Sequence, residues 1–251
     1  MHLNNEGYTD GQRAELAKEI EASGVKYAVD IGFDLESSVI ASKHAEKYSW
    51  CYATAGYHPH DAKYMDDMSL KMIKALAAKP KVVAIGETGL DFHYDHSPRD
   101  VQRECFRKQI RLAKELKMPI VIHSREADEE TMNILKDEKA FSDIRVLLHC
   151  YSGSKELAKQ YIRLGAIISI AGPITYKNAR KNIEVVREIP IEYLLIETDA
   201  PYLTPEPFRG QRNKSPYVEH TARKVAEIKG MAYEEVARIT CENAKRFYDI
   251  Q

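Results

Sequence analysis

Residues 82–116 read VVAIGETGLDFHYDHSPRDVQRECFRKQIRLAKEL. An unbroken apolar run, 82–86, stops on a carboxylate, Glu87, and a polar loop follows. A Pro-led helix pattern then spans 99–116, with Val101, Cys105, Ile110, Leu112 and Leu116 spaced to share its inner face. A strand that is apolar without alternation is buried on both faces. That is the condition of a parallel sheet covered by helices.

Working outward, the same unit recurs. Strands are expected at 27–33, 50–57, 120–123, 146–149, 166–171 and 193–198. Helix patterns lie among them at 11–23, 35–47, 69–78, 126–137, 155–164 and 177–187, with Gly24 and Gly165 placed as C-terminal caps. Repeated strand–helix units on short loops imply parallel pairing with right-handed crossovers. An open doubly wound α/β sheet and a (β/α)8 TIM-type barrel both satisfy this. The open sheet normally carries a Gly-rich first turn, and none is present, so the barrel is the expectation. Seven strands are counted where eight close a barrel, and the first element is a helix with no strand before it. The first strand is therefore read as largely missing, and residues 1–251 as a single domain without linker or repeat.

The chain has 251 residues, 44% hydrophobic and 30% charged, which is enough apolar material for a packed core. Its 37 Lys and Arg nearly cancel 38 Asp and Glu. The resulting charge of −1 excludes a generally basic, duplex-coating protein but leaves room for a local anion site. No run approaches the roughly 18 apolar residues of a membrane helix, and no signal-peptide pattern is read at the start. Cys51, Cys105, Cys150 and Cys241 form no C-x-x-C pair, so neither a disulfide framework nor a thiolate zinc site is expected. The expectation is a soluble cytoplasmic protein with no membrane contact and no obligatory protein partner.

The chemistry sits where strands finish. In order, the strand ends carry His58 and His60 (AGYHPH), Glu87 (AIGETGLD), His123 (VIHSR), His149 (LLHCYSG) and Asp199 (LLIETDAP). In a barrel, the C-terminal strand ends converge on one mouth, so residues distant in sequence become neighbours. Imidazole and carboxylate aimed at one point suit a divalent cation. Arg125 and Arg209 are expected to grip phosphate, since a guanidinium fork matches its geometry, whereas Arg212 is read as a solvated loop charge. His58 is expected to touch substrate or to stand behind a metal ligand, and His60 to lie on the surface. His93 and His96 fall in a polar loop over the mouth. Phe92, Tyr94, Tyr151 and Tyr202 follow proposed ligands closely enough to stack on unpaired bases or simply to pack the rim. Cys150 lacks an evident base and is read as a buried thiol.

These strings resemble the TatD family of metal-dependent deoxyribonucleases, among the amidohydrolase-like barrels. The likeness covers nearly the whole chain and rests on AGYHPHDA, IGETGLDFHYDHSPRDVQRECFRKQ, PIVIHSREA, LLHCYSG, IETDAPYLTP and FRGQRNKSPYV. It implies a (β/α)8 fold, one or two divalent cations (Mg²⁺, Mn²⁺ or Zn²⁺) and exonuclease-type cleavage of DNA, at a single strand or strand end. Carried onto this chain, Glu87 would bridge two cations while His123 and His149 hold one of them. Asp199 would bind the other and orient the attacking water. The family opens with a strand ending in a His-x-His pair, and only its second histidine has a counterpart here, His2. A weakened first metal site is therefore expected, with His2 on a fraying terminus. The alternatives are hydrolysis of a small ester, amide or phosphoester, and a binding protein with a crippled site.

Overall fold

The computed structural model describes all 251 residues, which cluster into two compact units. One unit holds Met1–Ala28 with Cys150–Gln251, and the other holds Val29–His149. In chain order the first elements are α1 (Asp10–Ala22), β1 (Ala28–Asp30), α2 (Leu35–Lys47), β2 (Cys51–Ala55), α3 (Asp67–Ala77), β3 (Val82–Asp91), α4 (Arg99–Leu116) and β4 (Ile120–Arg125). There follow α5 (Asp128–Asp137), the one-turn α6 (Ala140–Asp143), β5 (Val146–Leu148), α7 (Lys155–Arg163) and β6 (Ile167–Ile170). The last are α8 (Arg180–Glu188), β7 (Leu194–Ile196), α9 (Val218–Lys229) and α10 (Tyr233–Tyr248). Seven strands are present, one in each expected window, and none precedes α1. No helix is long and apolar enough to cross a membrane.

Within Val29–His149 the pairs β2·β3, β3·β4 and β4·β5 are parallel. Ile85, Ile120, Ile122 and Leu148 on the strands are wholly buried with Phe106 and Ile110 of α4. The helix starts are sharp because their caps are reciprocal. Asp34 accepts from the Ser37 amide at 2.7 Å while Ser37 Oγ accepts from the Asp34 amide at 2.9 Å. Asp66 and Ser69 repeat the arrangement at α3.

β3 is ten residues long and continues past its expected end at 86. Its register against β4 pairs Thr88 with Ile122, Gly89 with His123, Leu90 with Ser124 and Asp91 with Arg125. The extension is supported by two buried glutamines of α4. Gln109 Oε1 accepts from the Tyr57 amide at 2.8 Å, and its Nε2 donates to Tyr57 O at 2.9 Å and Thr88 Oγ1 at 2.7 Å. Gln102 Oε1 accepts from the Asp91 amide at 2.9 Å, and its Nε2 donates to Asp91 O at 3.1 Å. The inner face of α4 is therefore less apolar than its sequence suggests. Cys105, Ile110 and Leu112 are buried as expected, but Val101 and Leu116 are only half-buried. Buried backbone groups on a strand that outruns its ladder need polar partners, and the glutamines supply them.

In the other unit β6 and β7 are parallel neighbours. α1 begins at a Thr9–Gln12 capping box and ends with Ser23 in extended backbone, so Gly24 is not the cap expected of it. Gly165, at φ 88°, does take the left-handed conformation. The sequence reading carried no helix past 187, yet α9 and α10 are long and well packed. Their inner faces interleave Val225, Val236 and Phe247 with buried Thr221, Thr240 and Asn243, which blurs the apolar period. Asn243 Nδ2 donates to Ile191 O and Leu194 O at 2.8 and 2.9 Å, fixing the start of β7.

Gly89 decides whether β3 and β4 can lie together at the site. Its φ is +137°, and a Cβ there would stand 2.0 Å from His123 O, a backbone atom that cannot move without opening the ladder. Gly89→Ala should lower unfolding stability by about 3 kcal/mol, from strained backbone and overpacking together. Urea denaturation followed by far-UV circular dichroism measures this, and an unchanged midpoint would refute the constraint.

Candidate metal centre

Glu87 on β3 is 4% exposed, and a buried carboxylate is tolerated only where opposite charge or hydrogen-bond donors surround it. Here imidazoles do so. Its Oε1 lies 3.1 Å from His123 Nδ1, 3.3 Å from His149 Nε2 and 3.5 Å from His58 Nε2. Burial alone would raise the Glu87 carboxyl, but the charge of His149 and the hydrogen bonds from His123 and His149 outweigh it. The group is held well below the usual carboxylate range.

Four residues further on, at the end of β3, Asp91 is completely buried. Its Oδ2 receives His123 Nε2 and His60 Nε2, each at 3.0 Å. Its Oδ1 accepts the backbone amides of His93 at 3.0 Å and Tyr94 at 2.9 Å, which shapes the loop after the strand. Those donors overcome the burial that would raise its carboxyl and push it below its ordinary range. His123 thus stands between two carboxylates, Nδ1 toward Glu87 and Nε2 toward Asp91. Burial works against its charge, but the two hydrogen bonds win and its pKa is raised. His58 goes the other way. Burial, reinforced by the neighbouring His123 charge, pushes it down to about 4, leaving a neutral ring with a lone pair.

The donor chemistry fits a divalent cation. His58, Glu87 and His123 each offer a ligand atom, and these atoms lie within 4.8 Å of one another. Metal–nitrogen and metal–oxygen bonds of about 2.0–2.2 Å let such a set close on one ion. A proton on His123 Nε2, donated to Asp91, leaves Nδ1 as the metal-facing atom, the usual role of a carboxylate behind a ligating histidine.

The unit containing both termini carries a second group. His2 Nε2 is 3.3 Å from Asp199 Oδ1, and the His2 amide donates to Ala200 O at 2.7 Å. His2 is 7% exposed and Leu3 3%, with Arg13 Nε donating to Leu3 O, so the expectation of a fraying terminus is corrected. Short-range packing of Leu3 and Tyr8 anchors the first residues. Glu197 was missed by the sequence reading, although IETD places it two residues before Asp199. It accepts from the Cys150 amide at 2.8 Å and from Ser169 Oγ, and its ligand atom is within 4.8 Å of that of Asp199.

Of the residues expected to converge, Glu87, His123 and His149 meet within Val29–His149, while Asp199 belongs to the other unit beside His2. His58, expected to touch substrate, points at Glu87. His60 is not a surface residue: it is half-buried, bonded to Asp91, with its ring centroid 4.3 Å from that of His58. Asp91 was also missed, because GETGLD offers two carboxylates and only the first ends the apolar run. Arg125 and Arg209 are exposed, their guanidinium carbons 4.7 Å over Tyr94 and 4.3 Å over Tyr176. Arg212 lies over Tyr8 and donates to Gly7 O at 3.2 Å, more engaged than a solvated charge.

A family model described as TatD related DNase matches residues 1–249. The chain belongs to this family. It is 48% identical over 249 residues to the uncharacterized metal-dependent hydrolase YabD of Bacillus subtilis, covering 99% of this chain and 97% of that protein. It is 36% identical over 247 residues to a protein of Salmonella typhimurium named 3'-5' ssDNA/RNA exonuclease TatD, covering 95% and 93%. The crystal structure of YJJV, a TatD homolog from Escherichia coli, superposes with a TM-score of 0.92 at 27% identity, covering 100% and 96%. The α/β TIM-type class expected from the sequence therefore holds, with seven strands and α1 as the first element. The chain is a TatD-family metal-dependent hydrolase.

Replacing Asp91 tests the support behind His123. Asp91→Asn should weaken Mn²⁺ or Zn²⁺ binding about 10–100-fold in calorimetric titration, the usual cost of removing such a partner. An unchanged dissociation constant would show that Asp91 does not orient the ring.

Proposed function

We propose that this chain is a divalent-metal-dependent phosphodiesterase that removes nucleotides from DNA ends in the cytoplasm, with residues 1–251 as one catalytic domain. The observation that carries this reading is the buried Glu87 carboxylate with three imidazole nitrogens within 3.5 Å of one oxygen. The printed name of the Salmonella relative, an exonuclease on single-stranded nucleic acid, supports strand ends as the substrate. Near-zero net charge suits an enzyme that grips one strand end rather than coating a duplex. Four free cysteines suit a reducing compartment.

Glu87, His123 and His149 are the residues to hold a cation, with His58 beside them. Mg²⁺, Mn²⁺ or Zn²⁺ at such a site polarises a phosphoryl oxygen and makes bound water a nucleophile at neutral pH. The chain's own groups do the rest. Glu87, negative at neutral pH, supplies the carboxylate at the centre. Asp199 is assigned the attacking water: its carboxylate accepts the proton as the water oxygen bonds to phosphorus and the P–O bond to the departing nucleotide breaks. His2 and Asp199 are also the ligands assigned to a second cation. His58 stays neutral and approaches the phosphate without adding charge. Arg125 and Arg209 present guanidinium forks to phosphates of the strand.

The assay compares a linear single strand, a closed circular single strand and bis(p-nitrophenyl) phosphate, each with added Mn²⁺, Mg²⁺ or Zn²⁺. The expected result is a single-nucleotide ladder from the linear strand, none from the circle, and no activity in EDTA. Cleavage of the circle, or hydrolysis of the small ester alone, would overturn the reading. Glu87→Gln should lower kcat about 100-fold or more and reduce bound metal, because several kcal/mol of transition-state stabilisation go with the ion.

A further inference from the structure

Directly beyond Asp91, the loop 92–98 carries an exposed aromatic ring one side chain away from the metal-binding histidines. Tyr94 is 50% exposed, and His60 meets it edge-on at 5.5 Å while also touching His58 and, at 6.3 Å, His123. His96 lies parallel to Tyr94 within 2°, with the ring centroids 5.5 Å apart.

The loop that holds this pair is rigidly tied. Asp91 Oδ1 accepts the Tyr94 amide at 2.9 Å. Lys63 Nζ donates to His96 O at 2.9 Å, and Ser97 Oγ donates to His60 O at 2.7 Å. Gln102 Nε2 donates to Ser97 O at 2.9 Å. An exposed ring on an ordered loop costs little conformational entropy when a flat ligand lands on it.

Arg125 adds a second, independent feature. The neighbouring arginines on α4 are neutralised: Arg99 by Asp95, Arg103 by Glu130, and Arg107 and Arg111 by Glu138. Arg125 enters no ion pair. Its adjacent Glu126 is taken by His93 at 2.6 Å, and its own guanidinium rests over the Tyr94 ring. A fixed ring, with a guanidinium against it that no carboxylate neutralises, matches the base and the phosphate of one nucleotide once the guanidinium swings from the ring to the phosphate.

We infer that Tyr94, His96 and Arg125 form a nucleotide subsite that takes one unpaired base against the Tyr94–His96 pair and its phosphate on Arg125. The inference rests on the proposed DNA-end activity and names what that site selects, a strand whose terminal bases are unpaired. Duplexed bases present no free face to Tyr94, so the subsite works against paired ends.

The test is a cycle of Tyr94 against the base. Anisotropy titrations in EDTA use a labelled ten-nucleotide single strand and the same strand made abasic at its terminal positions. KM and kcat with Mn²⁺ are measured in parallel. Tyr94→Ala should weaken binding of the base-bearing strand about tenfold, within the range of base–aromatic stacking, and raise its KM more than it lowers kcat. It should weaken the abasic strand less than twofold, and Tyr94→Phe should keep wild-type affinity for both. Arg125→Ala should weaken both strands alike and reduce the salt slope by about one. Equal loss on both strands with Tyr94→Ala, or loss on neither, overturns the inference while leaving the proposed activity standing. Failure of the wild-type chain to bind either strand in EDTA overturns this subsite, and failure to cleave the base-bearing strand with Mn²⁺ overturns that activity.

Discussion

The imidazole of His123, held between two buried carboxylates, is the interaction on which the site depends. A carboxylate withdrawn from water is strongly unfavourable unless donors replace its hydration. Glu87 and Asp91 are both withdrawn, and His123 answers each with one nitrogen. The β3·β4 register sets this up by placing Gly89 opposite His123, with Glu87 and Asp91 two residues to either side. Period-two geometry brings those side chains out on the same face of the strand as Gly89. Because Gly89 has no side chain, the backbone of β4 at His123 can approach β3 closely at this point.

Support for this arrangement comes from behind the sheet. Gln102 and Gln109 of α4 hold the backbone of Asp91, Tyr57 and the hydroxyl of Thr88, and so fix both strand ends that carry site residues. Two neutral amides do this without bringing further charge next to the carboxylates. A longer apolar face on α4 would have packed as well but left those backbone groups without partners.

The fold was legible because buried parallel strands announce themselves as unbroken apolar runs, and all seven did so. Glu87, His123 and His149 were legible for the same reason: each stands where such a run stops. Asp91 and His60 were not, because their importance lies in a contact with each other across 31 residues, which no local pattern encodes. Glu197 was obscured by Asp199 two residues on. His2 was misjudged because position at a terminus predicts mobility only when nothing anchors it, and Leu3 and Tyr8 do. α9 and α10 were overlooked because threonine and asparagine occupy part of their buried faces.

The two oxygens of Asp91 do separate jobs, one holding His60 and His123, the other holding the amides of His93 and Tyr94. Loop shape and ligand orientation are thereby joined through a single rigid group. A residue inserted between Asp91 and Ser97 would swing that carboxylate and turn the imidazole with it, although the insertion touches no ligand. The segment behaves less like a surface loop, whose length drifts freely, than like part of the coordination sphere. The 206–212 stretch is tied as well, by the Glu206 amide on Thr175 Oγ1 and by Gln211 O accepting from Thr204 Oγ1, but no bond in it reaches Asp91, Glu87 or His123.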